Sequence, residues 1–367
     1  MRLLEKVQYQ DQSIERLLRA RANGRLAHGL IFQGPEGVGK KLTARAWAQE
    51  LLCEQATPEG EKACACGTCR SCQWVVNGTH PDLHLVHKGL IKYTPEGRNR
   101  QALSLSIEVV RQFLIEPAGR APTSGRCAVY IVEDAHELMP AAQNALLKTL
   151  EEPATDTYII LITARPQRLL ETIRSRCQSV HFNRLPDAFI QEQLQQEKLS
   201  DAEGHFWAGF ADGRLGVALS QAALGVYGFK QELLERLAQL RDETALETAG
   251  WLVEAAKAIA KQLSEKDETL SAASATRQAY ALQLDLLEYI TRLAVMALTG
   301  RLAEGTDQAA SISQIAQRYG VLGLAQSTRW IQKTRDGLAG NGNPTLLLES
   351  LLLQYGKHEA VMATASY

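Results

Sequence analysis

The sequence lacks any long apolar run and any leader-like segment. No stretch of about 18 consecutive apolar residues occurs along its 367 residues. Residues 1–8 already carry charge and lead into no apolar core of a signal peptide. Both absences argue against a secreted or membrane-spanning protein and predict a cytoplasmic one that contacts no membrane.

Net charge is almost absent as well. Forty Lys and Arg residues stand against 41 Asp and Glu residues, which gives −1 at pH 7. The chain therefore has no global basic field of the kind with which an autonomous DNA-binding protein releases counterions. Contact with DNA would need a local patch or an assembly. The length predicts two or three globular domains.

What the sequence does contain is a phosphate-binding loop. Residues 34–41 read GPEGVGKK, between an apolar strand at 30–32 and a helix over 40–52, which is the order that a P-loop requires. Small glycines let backbone N–H groups wrap the phosphates, and the lysine neutralises their charge. An ordinary Gly/Pro turn between a strand and a helix is the alternative, but such a turn would not need three glycines and a lysine together. The candidate nucleotide-binding residues are Gly34, Gly37, Gly39 and Lys40.

Two positions around this loop depart from a working ATPase. Lys41 replaces the Ser or Thr whose hydroxyl ligates Mg²⁺. The apolar strand at 129–132 ends in Glu133 and Asp134, whereas a Walker B strand ends in a metal-holding Asp followed by a water-orienting Glu. The inverted order displaces each carboxylate by about 1 Å, enough to cost a hundredfold in rate. Read alone, the pair could be an exposed acidic strand end. The sequence leaves nucleotide binding open and predicts little or no intrinsic hydrolysis.

The cysteines predict a metal site. They are odd in number, seven, and five lie within residues 53–72, which favours a reduced compartment over a disulfide framework. Cys66, Cys69 and Cys72 follow at i, i+3 and i+6, and a fourth thiolate would close a tetrahedral, structural Zn²⁺ site. Free buried thiols are the alternative. We expect Cys53 as the fourth ligand, with Cys64 left open, because Cys64 and Cys66 are too close to bind together.

The elements indicate an α/β module followed by helices. From residue 30 to 182 short β-rich runs alternate with helical stretches, which is typical of a parallel sheet with crossover helices. After Pro186 only amphipathic helices follow. The boundaries fall near residues 183–186 and near Gly225. The predicted strands are residues 30–32, 83–86, 127–132, 158–163 and 179–182.

Three further motifs resemble a known family. Residues 144–153 read NALLKTLEEP, 173–177 read IRSRC and 343–349 read NPTLLLE. With the P-loop and the thiol cluster they resemble the clamp-loader subunits of bacterial DNA polymerase III, of the AAA+ class, over nearly the whole chain. The P-loop alone would fit many NTPases, whereas the first two motifs are specific. The last is more similar to the delta prime type than to the ATP-hydrolysing gamma and tau types.

This resemblance implies an architecture and a role. It implies an AAA+ P-loop module with a zinc module at 1–184, a helical lid at 185–225 and an all-α collar at 226–367. The collar would join a five-membered ring with gamma/tau and delta subunits, which loads the sliding clamp onto primed DNA within the DNA polymerase III holoenzyme. Arg176 would then be an arginine finger acting in trans on a neighbour's ATP, and Gly216 stands where motor subunits carry a sensor 2 Arg.

Two rival functions remain. The chain could be a genuine ATPase of the gamma/tau type, with Thr43 or water completing the metal shell in spite of Lys41. It could also be a zinc-dependent DNA-binding module, which the balanced charge disfavours.

Overall fold

The computed structural model describes residues 1–55, 57–59, 62–95, 104–124, 126–197, 199–266, 270–303 and 306–364, with the backbone alone at 57–59, 62–64 and 357–364. The chain divides into two compact units. One comprises Met1–Pro186 with Gly213–Val217, and the other comprises Asp187–Asp212 with the chain from Ala218 onward.

The first unit is built on a parallel five-stranded sheet. Its strand order is β4-β5-β6-β1-β7, so β1 lies between β6 and β7. An antiparallel pair, β2 and β3, lies outside this sheet. The strands are β1 (Gly29–Gln33), β2 (Thr57–Glu59), β3 (Lys62–Cys64), β4 (Leu83–Val86), β5 (Ala128–Val132), β6 (Thr157–Thr163) and β7 (Gln178–His181).

Helices cover both faces of this sheet and create two cores. Along β5, Val129 and Ile131 enter one core, whereas Tyr130 and Val132 enter the other. This alternation follows from the two-residue period of a strand, and it leaves β5 buried throughout. The helices of the unit are α1 (Asp11–Ala22), α2 (Lys40–Leu52), α3 (Arg70–Asn77), α4 (Ile107–Val110), α5 (Glu116–Ala118), α6 (Pro140–Glu151) and α7 (Glu171–Arg174).

Short irregular helical turns complete the first unit. A π-helical turn, Arg111–Ile115, joins α4 to α5. The 3₁₀ turns are Leu3–Lys6, Lys88–Tyr93, Ala135–Glu137 and Pro166–Arg168.

The second unit is helical over the residues that the structure describes. A kink interrupts α14 at Gly320, whose φ of 56° and ψ of −177° are not helical. None of the described helices is long and apolar enough to cross a membrane. The helices that begin after residue 186 are α8 (Asp187–Gln196), α9 (Asp201–Ala211), α10 (Leu215–Leu224), α11 (Tyr227–Ala238), α12 (Asp242–Lys266), α13 (Ala272–Leu298), α14 (Ala309–Ala339) and α15 (Pro344–Thr364).

The predicted fold class is confirmed. All five predicted strands occur in the parallel sheet, each end within one residue of its predicted position, and helices follow the last strand. The first stretch of the first unit ends at Pro186, and Gly213–Val217 also belongs to that unit. The further division into a lid at 185–225 and a collar at 226–367 stays a prediction.

Candidate nucleotide and metal sites at the two ends of one helix

Helix α2 positions both candidate sites. It begins at Lys40, directly after the left-handed cap Gly39, and its C-terminal cap is Cys53. Its 13 residues span about 20 Å at 1.5 Å per residue. Trp47 is fully buried and fixes the middle of the helix in the core. The P-loop and the first thiol of the cysteine cluster are therefore the two ends of one helix.

The loop before α2 has the backbone that a phosphate-binding loop needs. Gly34, Gly37 and Gly39 have φ values of 153°, 75° and 98°, a region that side chains with a Cβ rarely adopt. A Cβ on Gly34 would also collide with the carbonyl oxygen of Phe182. The three glycines are thus required by the turn itself.

The Lys40 ammonium lies inside this loop. Its Nζ donates to the carbonyl oxygen of Gly34 at 2.7 Å and to that of Pro35. Burial lowers the pKa of Lys40, while the nearby carboxylates Glu36 and Asp134 oppose the shift. The side chain is placed to meet a phosphate, and oxygen atoms of the loop itself satisfy it here.

The residues at the two positions that ligate Mg²⁺ in a working P-loop ATPase bind each other here. Lys41 Nζ lies 2.6 Å from Glu133 Oε1, so an ion pair joins α2 to the end of β5. The next residue, Asp134, takes a left-handed backbone with φ of 47°. Mg²⁺ requires oxygen ligands in a near-octahedral arrangement. One ammonium and a carboxylate already paired with it do not fit this ion.

Gly216 lies directly against the P-loop. Its N–H donates to the carbonyl oxygen of Gly37 at 2.9 Å. A Cβ on Gly37 would come within 2.9 Å of the backbone nitrogen of Val217, so the two stretches are in backbone contact. This position offers no guanidinium to a phosphate.

Four thiols meet at the other end of α2. The Sγ atoms of Cys53, Cys66, Cys69 and Cys72 all lie within 4.8 Å of one another. Three of the separations are 3.6 Å (53–66), 3.9 Å (53–69) and 4.0 Å (66–72). A tetrahedral zinc with bonds of about 2.3 Å separates its sulfur ligands by about 3.8 Å. The cluster therefore can hold a metal, and Cys53 is part of it, whereas the side chain of Cys64 lies outside the described residues.

Backbone donors prepare these sulfur atoms for negative charge. The N–H groups of Cys66, Cys69 and Cys72 each donate to the Sγ of the preceding member of the cluster, at 3.2, 3.2 and 3.4 Å. Burial raises the pKa of Cys66, but donation from Thr68 and Cys69 outweighs it and brings the pKa to about 6. Burial raises the pKa of Cys53 and Cys72. The backbone donors therefore favour a thiolate at Cys66, whereas burial opposes ionisation of Cys53 and Cys72.

Two buried polar residues of α2 that the sequence did not single out support this cluster. Gln49 accepts from Leu3 N at 2.8 Å and donates to Cys72 O at 3.2 Å. Glu50 accepts from Ala65 N at 2.6 Å, and burial raises its pKa. Two consecutive polar residues within an otherwise apolar stretch, residues 46–52, could have revealed them.

Arg176 lies on an exposed turn after α7. Its guanidinium makes an ion pair with Glu151 Oε1 at 2.6 Å and donates to Thr172 O at 2.9 Å. The side chain stays 36% exposed. Glu151 and Arg176 are 25 residues apart, and no pattern along the chain could have predicted this contact.

Comparison with known proteins identifies relatives of this chain. A family model described as "DNA polymerase III, delta subunit" matches residues 9–186. The DNA polymerase III subunit delta' of Bacillus subtilis is 34% identical over 197 residues, 53% of this chain and 54% of that protein. The subunit delta' of Escherichia coli is 38% identical over 184 residues, half of each chain.

A tau subunit is also similar. The DNA polymerase III subunit tau of Salmonella typhimurium is 33% identical over 313 residues, 81% of this chain and 45% of that protein. The matched regions span about half the length of these relatives. The motifs at residues 144–153 and 173–177 both lie within the region that the family model matches. Over residues 9–186 the chain matches the family described as DNA polymerase III, delta subunit, and it is similar to DNA polymerase III subunits of the delta' and tau types.

Proposed function

We propose that this chain is a delta prime-type subunit of the DNA polymerase III clamp loader, which helps to load the sliding clamp onto primed DNA during replication. It acts in the cytoplasm, in a five-membered ring with gamma/tau and delta subunits. The collar (226–367) joins the ring and the lid (185–225) follows the AAA+ module (1–184). The observation that carries this proposal is an exposed Arg176 in a chain whose own metal position is closed by an ion pair.

The ATPase site of the chain itself is degraded in this proposal. Three features support it: Lys41 pairs with Glu133, Asp134 replaces the water-orienting Glu, and Gly216 offers no guanidinium. Phosphoryl transfer depends almost entirely on positioned metal and charge, so the loss of all three leaves little catalysis.

The cysteine cluster holds a structural Zn²⁺ in this proposal. Four thiolates leave no open coordination position, so the ion would stabilise the fold and take no part in chemistry. The separations of the sulfur atoms and the three backbone donors support it.

Arg176 acts on the ATP of a neighbouring subunit. Phosphoryl transfer spreads negative charge over the equatorial oxygens, and a planar guanidinium brought across an interface stabilises that charge. The pair with Glu151 is a surface pair, and such pairs contribute under about 1 kcal/mol. A phosphate can therefore replace Glu151 as the partner at little cost.

Reconstitution with the other loader subunits, the clamp and primed DNA tests the proposal. Arg176→Ala should leave ring assembly intact and lower the ATP turnover that depends on this chain about 10³-fold. Arg174→Ala, at the exposed end of α7, is the matched control and should do much less. If rings that contain Arg176→Ala hydrolyse ATP and load clamps at the wild-type rate, the role in trans is wrong.

An ATP-hydrolysing subunit of the gamma/tau type is the second candidate. The match to a tau subunit over 81% of this chain favours it. Steady-state ATPase measurements on the purified chain separate the two. Mg²⁺-dependent turnover of about 1 s⁻¹ that disappears in Lys40→Ala would establish the motor type, whereas we expect no turnover above background.

A further inference from the structure

We propose that the Lys41 ammonium replaces Mg²⁺ at this P-loop, so that the loop binds a nucleoside di- or triphosphate without a metal ion. The inference rests on the proposed function, in which the site does not hydrolyse ATP, and it names the ligand of that site.

The positive charge of Lys41 lies between two elements that hold the metal in P-loop ATPases. Lys41 Nζ and Glu133 Oε1, 2.6 Å apart, lie on α2 and after β5. These are the two elements from which a P-loop ATPase supplies its protein ligands to the metal, the hydroxyl after the P-loop lysine and the Walker B carboxylate. A fixed positive charge thus occupies the place between them.

The Lys41 ammonium has more hydrogen-bond donors than Glu133 uses. It carries three N–H donors and no acceptor, and Glu133 takes one of them. Lys41 is 58% exposed, whereas Glu133 is 20% exposed, so the ammonium faces solvent and the carboxylate anchors it. The remaining donors can bond phosphate oxygens that approach along the loop.

Lys40 can exchange its present hydrogen-bond partners for a phosphate. Its two acceptors, the carbonyl oxygens of Gly34 and Pro35, are neutral. Hydrogen bonds from an ammonium to phosphate are charge-assisted and stronger than those to a carbonyl. A phosphate can therefore take Lys40 from the loop and lie between two ammonium groups, with the loop N–H groups around it.

A divalent cation does not fit between Lys41 and Glu133. A divalent cation would have to displace Lys41 from Glu133, and it would find no hydroxyl on the α2 side. The nearby acidic groups that remain, Glu36 and Asp134, already act on Lys40. The bound nucleotide would stay intact and would serve the structure of the subunit.

Calorimetric titration of the full chain with ADP and with ATP tests this, once with Mg²⁺ and once with EDTA. The dissociation constant should change less than about threefold between the two conditions. Lys41→Met should weaken binding at least tenfold in both. The double variant Lys41→Thr with Glu133→Asp should bind at least tenfold more tightly with Mg²⁺ than with EDTA.

Lys257→Met is the matched control. Lys257 makes an exposed pair with Glu254 at 2.7 Å, 64% exposed, on α12 of the second unit. Its removal should leave nucleotide binding unchanged. Thermal unfolding of each variant checks that a weaker dissociation constant does not come from a damaged fold.

Two results would overturn the inference. One is binding by the wild-type chain that requires Mg²⁺, and the other is no binding of ADP or ATP at millimolar concentration in either condition. Both leave the role of Arg176 untouched, because the reconstituted ATPase with Arg176→Ala measures that role separately.

Discussion

The two ends of α2 arrange their ionisable groups in opposite ways. At its C-terminal end four sulfur atoms converge, backbone N–H groups donate to three of them, and burial raises the pKa of Cys53 and Cys72. At its N-terminal end Lys41 forms an ion pair with Glu133, the residue at the position of a metal-holding carboxylate. A sequence motif predicts which side chains lie close together. The balance of charge among those side chains decides whether they need an ion from solution.

Removal of a cluster thiol should give the largest effect on stability. Cys69→Ala leaves three ligands and buried thiols without a cation, so the chain should lose its zinc and about 4 kcal/mol or more of unfolding free energy. Elemental analysis after chelator washing measures the zinc content, and urea titration measures the free energy of unfolding. Cys127→Ala, buried outside the cluster with its Sγ donating to Leu51 O at 3.5 Å, should keep one zinc per chain. Folded wild-type protein without zinc would remove the contrast between the two ends.

Crowding of the P-loop should give an intermediate effect. Gly37 and Gly39 both have positive φ, so alanine at either position is strained by about 1–2 kcal/mol. Only at Gly37 would the new methyl also meet the backbone nitrogen of Val217, at 2.9 Å, whereas nothing lies within 4 Å of it at Gly39. Gly37→Ala should therefore lower the unfolding free energy about 1 kcal/mol more than Gly39→Ala. Equal losses would mean that the contact with Gly216 and Val217 is loose.

Protonation of His80 should give the smallest effect, near the thiol end. Its Nδ1 accepts from Asp82 N at 3.1 Å, so the neutral ring carries its proton on Nε2, 2.8 Å from Ser71 Oγ, which donates to Leu52 O. Burial lowers the pKa of His80 below 6.5, with Asp82 and Glu54 opposing. The folded state then binds fewer protons than the unfolded one, so stability present above pH 6.5 is lost as the pH falls.

The test compares urea unfolding of wild type and His80→Gln from pH 8 to pH 5. The wild-type chain should lose stability relative to the variant below pH 6.5, by at most about 1.4 kcal/mol per pH unit. Pairs of measurements at each pH cancel the proton dependence of metal binding, which both proteins share. Parallel curves would show that His80 does not titrate differently in the two states.

Much of the fold could be predicted from the sequence because its signals are local. Strand β5 is a continuous apolar run between polar residues, and β4 was predicted to the residue. The π-helical turn at Arg111–Ile115 had no such signal, since its residues suit an ordinary helix equally well.

In the candidate sites, too, local spacings could be predicted from the sequence, whereas contacts between distant residues could not. The thiol cluster lies mostly within seven residues, so its spacing predicts it, and the structure brings Cys53, the expected fourth member, to within 4.8 Å of the other three. The pairing of Lys41 with Glu133 joins residues 92 positions apart, and no pattern along the chain encodes it. The same holds for Gly37 and Gly216, which only the parallel sheet and the start of α10 bring together.

The pair between Glu151 and Arg176 has a consequence for how the free chain behaves near nucleic acid. Glu151 is the last residue of α6 and holds the guanidinium at 2.6 Å in the chain by itself. A guanidinium with a carboxylate partner is less available to the singly charged phosphates of a DNA backbone than a bare one. The more highly charged triphosphate of ATP competes better for it. If Arg176 engages the ATP of a neighbouring subunit as proposed, Glu151 would favour nucleotide over DNA as its partner by no more than the contribution of a surface ion pair.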